Sequence, residues 1–284
     1  MKKFILFILS ISLILGALPS CSLQENTYII RQCGYSDSIE KANTKIEYDL
    51  WSSPLPNYEN IPQEITVEFN GESFNGVYTY SSIYTNEYYP THQYRSKYNK
   101  GYIRVNPFGE ITEYTASANN KAQDDSLHLP EQIYIDIAKK LLENRIDTED
   151  YVIDIQFYEL ADWYVVDFRK YVNGFRTADW AGVALWPNGE LAWFQSKMLG
   201  KISGENVPDF DVEKIYASIE DKLDVIYADS KEYYDEITYK NEEGDLVLTM
   251  LSETEYALVF GVSIDCRKGN VHSGDRISFV VTVE

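Results

Sequence analysis

Residues able to carry out chemistry are scarce in this 284-residue chain, which has three cysteines and three histidines. None of His92, His128 and His272 belongs to a zinc-binding motif, and each is expected on the surface or in a turn. The chain also lacks a GxSxG elbow, a P-loop and a GxGxxG motif. These absences favour a non-enzymatic protein with no metal and no cofactor. An uncatalogued hydrolase is the lesser alternative, because the 45 acidic residues single out no catalytic pair.

Positive charge is also in short supply. The chain has 25 Lys and Arg against 45 Asp and Glu, which gives a formal net charge of −20. Such a chain is repelled by phosphate backbones and by anionic lipid surfaces, so nucleic-acid binding is excluded as a function. The acidic clusters near Asp147 and Glu242 lack the spacing of a calcium-binding loop. The acidity is therefore interpreted as a solubilising surface.

Only one long apolar run occurs, and it lies at the N-terminus. Two lysines precede residues 4–15, an apolar segment that is short for a membrane-spanning helix. Residues 18–21 (LPSC) follow and resemble a bacterial lipobox. The resemblance implies a signal peptide over 1–20, a diacylglyceryl group on Cys21, and anchoring at the extracytoplasmic face of a bacterial cell membrane. An ordinary secretory signal peptide with a coincidental cysteine is the alternative.

The two remaining cysteines, Cys33 and Cys266, are far apart in the chain. An oxidising compartment permits a disulfide, and one bond closing so long a loop adds about 4–5 kcal/mol of stability in the chain-entropy model. However, Cys33 falls in a predicted tether and Cys266 beside a glycine-rich turn. Two free thiols are therefore expected, and the disulfide is the alternative.

The most strongly patterned stretch is 163–194, WYVVDFRKYVNGFRTADWAGVALWPNGELAWF. Alternating residues from Tyr164 to Val172 predict a half-buried strand, and Asn173-Gly174 predicts a tight hairpin turn. The Pro-Asn-Gly of 187–189 predicts a second hairpin with a three-residue loop. In that hairpin Leu185 pairs with Leu191. The core face then carries Val183, Leu185, Leu191 and Trp193, and the opposite face carries Trp186.

This meander resembles the PepSY family, the domain found in propeptides of secreted bacterial metallopeptidases. The resemblance rests on Tyr164-x-Val166-x-Phe168, the Asn-Gly turn, the strand at Val183 and the turn at Gly189, and it covers roughly 130–200. It implies a PepSY/cystatin-like fold, in which a helix crosses a curved antiparallel sheet. It also implies binding or inhibition of peptidases, with no catalytic residues.

A second copy of the hairpin pattern lies 80 residues upstream. Residues 102–114 (YIRVNPFGEITEY) match 182–194 (GVALWPNGELAWF), with Pro, Gly and Glu at equivalent positions of the turn. This self-similarity indicates duplicated units.

The predicted fold class is α+β, with tandem antiparallel β-meanders, each packed against a single helix, after a lipoprotein signal peptide. A tether is expected over 21–48, part of which, 27–31, has a strand as its alternative. A β-rich unit without an obvious helix is expected over 49–118, the PepSY-like unit over 128–200, and a second helix-plus-meander unit over 208–284.

Two helices are expected in these units. One spans 130–144 and has an apolar stripe of Ile133, Ile137, Leu141 and Leu142. The other spans 211–225 and is capped by Asp211. Four strand-like runs follow the second helix.

Aromatic residues are abundant, with 24 Tyr and 5 Trp. Trp186, Tyr88 and Tyr89 are candidate ligand-contact residues, and Trp186 is expected to be exposed because its predicted face is opposite the core. The alternative is that the aromatic residues are structural, because they favour strands.

The leading hypothesis is a non-enzymatic, surface-anchored lipoprotein that binds a protein or peptide and modulates an extracytoplasmic peptidase. A strand edge exposed in such a meander can accept an extended peptide. A glycan-binding lipoprotein that uses exposed aromatic rings is the alternative.

Overall fold

The computed structural model describes residues 27–33, 61–83, 90–98, 101–117, 128–252 and 254–284. Its helices are α1 (Glu131–Leu142) and α2 (Val212–Ile226). Its strands are β1 (Tyr28–Cys33), β2 (Glu64–Phe69), β3 (Glu72–Ile83), β4 (Pro90–Ser96), β5 (Gly101–Val105), β6 (Ile111–Ala116), β7 (Tyr151–Tyr158), β8 (Trp163–Val172), β9 (Phe175–Leu185), β10 (Leu191–Lys197), β11 (Glu236–Met250), β12 (Tyr256–Lys268) and β13 (Val271–Val283).

All thirteen described strands belong to one mixed sheet. Its main path runs β1-β13-β12-β11-β9-β10-β6-β5-β4-β3-β2, and β8 and β7 branch from the other side of β9. Strand β9 therefore has two partners along one edge. Its end pairs antiparallel with β10, whereas Arg176 and Thr177 near its start pair parallel with β11.

The predicted fold class, tandem meanders each packed on a single helix, is wrong. The described chain is mostly β, with only two α-helices, and one continuous sheet joins the segments that were expected to form separate units. The physical reason is that β9 pairs with β8 from its own expected unit and with β11 from the next one. Both of its edges thereby complete their backbone hydrogen bonds.

The hairpin of β2 and β3 lies at the far end of the main path from β1, and it packs back over β6 and β10. The ring of Phe69 lies 5.2 Å from that of Tyr114 and 5.5 Å from that of Phe194. The guanidinium of Arg145 lies over both phenylalanine rings and donates to the carbonyl of Ile111. The hairpin thus adds Phe69 and Phe74 to the same buried core that α1 packs against.

Helix α1 is rotated relative to the predicted apolar stripe. Its buried residues are Tyr134, Ala138 and Leu142, whereas Ile133 is largely exposed and Ile137 and Leu141 are half-buried. Tyr134 can be buried in the core because its hydroxyl group has two hydrogen-bond partners there. It donates to the carbonyl of Pro187 at 2.7 Å and accepts from the N–H of Leu129 at 2.9 Å.

Helix α2 follows its prediction closely. The Asp211 carboxylate accepts from the N–H of Lys214, and Ile215, Ile219 and Leu223 are buried against the sheet. The four runs expected after it form three strands, because the first two are joined in β11 across an irregularity after Asn241.

The two duplicated hairpins have the same turn. In one the N–H of Trp186 donates to the carbonyl of Glu190, and in the other the N–H of Asn106 donates to that of Glu110. Strands β6 and β10 pair, so the two hairpins lie side by side in the sheet. The predicted pairing of Leu185 with Leu191 is confirmed.

The predicted core position of Trp193 is wrong because of a β-bulge. The register shifts after Leu191, so Trp193 pairs with Ala184 and lies on the face opposite Val183. Phe194 takes the core position instead and is completely buried.

The N-terminal end of the described chain contains a strand. Tyr28–Cys33, within the stretch expected mainly as a tether, forms β1 and pairs along β13. This is the alternative that the TYIIR sequence offered. Cys266 is a buried free thiol on β12, and the side chain of Cys33 is not among those that the structure describes.

Candidate functional site

Of the candidate ligand-contact residues, Trp186 alone lies in the part of the chain that the structure describes. Trp186 lies opposite the core as predicted, but its exposed fraction is only 8%, because it packs with Trp163, Ala184 and Ala192 on that face. The expected exposure of Trp186 is therefore wrong. Tyr88, Tyr89 and the lipidation candidate Cys21 lie outside the described residues.

The four described tryptophans share one face of the sheet. The rings of Trp180 and Trp193 are half-exposed and lie 6.2 Å apart on either side of Gly182, where a Cβ atom would come within 3.0 Å of both. The indole of Trp180 donates to Asp167, which also accepts from Arg169. If aromatic rings contact a glycan, Trp180 and Trp193 are the rings positioned for it on this face. That function stays a prediction.

His92 departs from its expected surface position, since it is buried on β4 and burial lowers the pKa of its imidazole. Its Nδ1 lies 2.7 Å from Oγ of Ser81, which is also 3.0 Å from the hydroxyl of Tyr78. A serine and a histidine in contact do not by themselves identify a hydrolase, because acyl transfer also needs donors aimed at an oxyanion. His128 and His272 are exposed, as predicted.

The most deeply buried carboxylate is Asp179, which has no exposed surface. It lies in an irregularity of β9, where the register with β8 shifts between Arg169 and Tyr171. Its Oδ1 accepts from the hydroxyl of Tyr151 at 2.7 Å and from the N–H of Gly200 at 3.1 Å. Three segments, the start of β7, the middle of β9 and the loop after β10, are tied together at this carboxylate.

Burial raises the pKa of Asp179 to about 6, and the hydrogen bonds from Tyr151, Gly200 and Ile202 together with the charge of Lys170 only partly offset it. Burial and the negative charge of Asp179 also raise the pKa of Tyr151, which therefore stays protonated and donates. Neither side chain lines any of the five principal clefts of the described chain. We assign this pair a structural role.

A second buried polar cluster links β5 and β6. Arg104 and Glu113 form an ion pair at 3.2 Å, and the hydroxyl of Tyr102 donates to Glu113 at 2.6 Å. Burial, with the Glu113 hydrogen bond next in size, raises the pKa of Tyr102 to about 12. The Arg104 guanidinium also donates to the hydroxyl of Tyr80 on β3 at 2.9 Å, so the cluster ties three neighbouring segments together.

An apolar groove runs between strand β1 and helix α2. Among the described strands, β1 pairs with β13 alone, so its other edge presents backbone N–H and C=O groups. The end of α2 lies beside that edge. The groove has an apolar floor with charged residues at its rim, and its lining residues are Ile30, Arg31, Gln32, Asp221, Lys222, Val225, Ile226 and Phe279.

The groove has a fixed end and an open end. At the fixed end, the hydroxyl of Tyr28 on β1 accepts from the N–H of Asp211, the residue that caps α2, at 2.8 Å. This contact holds the strand against the start of the helix. At the open end, Val225 has an exposed fraction of 77%, and Ile226 is half-buried beside it. An apolar side chain this exposed at the mouth of an apolar groove is suited to contact with another chain.

Sequence reasoning missed the groove, although two signals for it were present. The TYIIR segment was identified only as an alternative strand, and Val225 lies off the stripe of Ile215, Ile219 and Leu223 that α2 buries. The groove depends on β1 reaching β13, and no local pattern specifies that pairing.

The described residues contain neither a cluster of metal-ligating side chains nor a membrane-spanning helix. No group of three or more His, Cys, Asp or Glu side chains there is arranged to hold a metal ion. Neither described helix is long and apolar enough to cross a membrane.

Comparison with known proteins adds little. No family model matches the chain, and no curated protein matches it. Among solved structures, the Bacillus megaterium YpeB C-terminal domain is similar at 12% identity and a TM-score of 0.33, covering 82% of this chain and 95% of that chain. The likeness is weak, and the resemblance to the PepSY family stays a prediction.

Proposed function

We propose that this protein is a non-enzymatic binding module that takes up an extended peptide segment as an added strand on β1. The observation that carries the proposal is the open edge of β1 beside the apolar groove under α2. The edge supplies main-chain hydrogen bonds, and the groove supplies a pocket for alternate side chains, which is how strand-addition domains combine affinity with selectivity.

The groove also defines the ligand chemistry. Ile30 and Phe279 lie on the core face of the sheet, so an added strand would direct every second side chain beneath α2 toward Val225 and Ile226. Those side chains should be apolar, and the intervening ones should be polar because they face solvent. Strand β1 has six residues, which sets the length of the matching segment.

The proposed setting is the extracytoplasmic face of a bacterial membrane, with the chain anchored through Cys21. Only six residues separate Cys21 from β1, and they span at most about 22 Å when extended. The groove would therefore face segments close to the membrane, such as the exposed strand of a membrane-proximal peptidase. Metabolic labelling with a fatty acid tests the anchor, because the wild-type chain should take up the label and a Cys21→Ser chain should not. A wild-type chain that takes up no label would contradict lipidation at Cys21.

Selection from a displayed library of random heptapeptides tests the groove. The enriched peptides are expected to alternate apolar and polar residues. Their binding should weaken at least tenfold in Val225→Glu, because the new carboxylate would be desolvated by the bound apolar side chain. Val271→Glu is the matched control, since Val271 is 65% exposed and lies at the turn between β12 and β13.

Hydrogen exchange separates strand addition from binding elsewhere. A bound peptide should slow exchange of backbone amides in β1 and leave those of β7, another strand with one described partner, unchanged. The proposal is wrong if no enriched peptide depends on Val225, or if binding leaves exchange in β1 as it was.

A further inference from the structure

Strand β7 has a second open edge, of a different kind from that of β1. Among the described strands it pairs with β8 alone, and all eight of its residues are in continuous register with that partner. Val152 is 59% exposed and Tyr158 is 43% exposed on the face opposite α1. None of the five principal clefts of the described chain is lined by a residue of β7.

The features that normally protect an edge strand are largely missing here. Proteins block such edges with lysine, proline, bulges or very short strands. Tyr151–Tyr158 contains no lysine, no proline and no bulge, and Asp154 is its only charged residue. The Asp154 carboxylate accepts from the N–H of Ile155 at 3.0 Å, which places that backbone donor on the open side of the strand.

The sequence of β7 is complementary to itself in one antiparallel register. With a two-fold axis at Ile155, Asp154 faces Gln156 of the second copy, Ile153 faces Phe157, and Val152 faces Tyr158. Each pair then joins side chains of the same kind on the same face. The exposed apolar pair lies on one face, and the half-buried apolar pair lies on the face that α1 partly covers.

Neighbouring registers are worse. Moving the axis to Asp154 sets two Asp154 carboxylates against each other, which is destabilising in a sheet. Moving it to Gln156 sets Asp154 against Tyr158 and Ile153 against Glu159. A symmetric pair of identical strands has few registers to choose from, so charge and apolar pattern together select the one centred on Ile155.

We propose that two copies of this chain form a two-fold symmetric dimer in which β7 pairs antiparallel with β7 of the second copy, centred on Ile155. The N–H of Ile155 exchanges its contact with Asp154 for a main-chain hydrogen bond to the second copy. The dimer is independent of the β1 groove, because β7 and β1 are separate ends of the branched sheet.

The charge of the chain modulates the dimer. Each copy carries a net charge of −20, so the copies repel one another at long range. Added salt screens this repulsion without removing apolar contacts. Association should therefore strengthen as ionic strength rises, which is the opposite of what an ion-paired interface would show.

Sedimentation velocity of the full chain with Cys21→Ser, over a series of concentrations and salt, tests the proposal. The test pair is Gln156→Lys and Gln156→Glu. Gln156→Lys places two cations opposite the two Asp154 carboxylates and should lower the dimer dissociation constant several-fold. Gln156→Glu places four carboxylates there and should raise it several-fold.

The matched controls are Gln63→Lys and Gln63→Glu, which make the same charge changes at an exposed residue before β2. They correct for the altered net charge. The proposal holds if the two Gln156 variants shift the dissociation constant in opposite directions by more than the controls do. It is overturned if wild type and Gln156→Lys are both monomeric throughout, or if the Gln156 shifts equal those of Gln63.

Discussion

At the scale of single residues, Asp179 is the group whose protonation most directly affects folding. Its carboxylate is fully buried, and its pKa is raised to about 6 from the usual 3.8. The folded state therefore holds the proton more tightly than the unfolded state does. The stability contributed by this group is fully present below about pH 4 and is lost as the pH rises through about 6.

We expect Asp179→Asn to reveal this dependence. The free energy of unfolding of the variant minus that of wild type should increase by about 2–3 kcal/mol between about pH 4 and about pH 8, since the asparagine side chain does not ionise. Urea unfolding at the two pH values measures it. Asp229→Asn, at an exposed carboxylate that follows α2, is the control. If this difference is the same at both pH values, the pKa of Asp179 is the same in the folded and unfolded states.

The sequence did not single out Asp179, because nothing local distinguishes it from the other 44 acidic residues. It did single out Trp186, for a position opposite the core, and that position is correct. The predicted exposure of Trp186 was wrong because Trp163, which is 23 residues away in the chain, packs against its ring. Burial of a residue depends on its neighbours in space, and a strand pattern reports only its neighbours in sequence.

At the scale of elements, the contact between α1 and the hairpin of β9 and β10 depends on Tyr134. Its hydroxyl bridges Pro187 and Leu129 in a fully buried position. Tyr134→Phe leaves a carbonyl and an N–H without that partner, so it should cost about 1–3 kcal/mol of stability.

Thermal or urea unfolding of Tyr134→Phe measures this cost. Tyr233→Phe removes the same atom from a largely exposed ring and should change stability by less than about 0.5 kcal/mol. If the two variants are equally stable, buried water or a local shift replaces the Tyr134 hydroxyl.

Element types were easier to predict than element faces. The Asn-Gly turn at 173–174 and the Asp211 cap are confirmed, because each depends on atoms within a few residues. The stripe of α1 was misjudged because an apolar count ranks Ile133 above Tyr134. The bulge at Ala192 exchanged the sheet faces expected for Trp193 and Phe194, and no residue type in that strand predicts a bulge.

At the scale of the whole molecule, the shared sheet should couple the two halves in unfolding. All five tryptophans precede residue 200, whereas Leu258 is fully buried in the core formed with β11 to β13. Leu258→Ala should cost about 2–5 kcal/mol. Because β9 joins both halves, the variant should unfold as one unit. The unfolding midpoint followed by tryptophan fluorescence and the midpoint followed by far-ultraviolet circular dichroism should therefore fall by the same amount.

Val225→Ala is the control, since it removes a largely exposed apolar side chain on α2. It should leave both midpoints nearly unchanged. If Leu258→Ala lowers the dichroism midpoint and leaves the fluorescence midpoint where it was, the halves unfold separately. That result would restore the independent units that the sequence suggested.

By itself the sequence determined the local structure: the alternating strands, the tight turns, both helices and the duplicated hairpin. These follow from backbone preferences and side-chain periods that act over a few residues. Only the tertiary structure decided that β9 serves two neighbours, that β1 ends the sheet beside α2, and which aromatic rings are covered. Those outcomes depend on surfaces brought together from distant parts of the chain, where packing and hydrogen-bond completion choose among pairings that local sequence leaves equivalent.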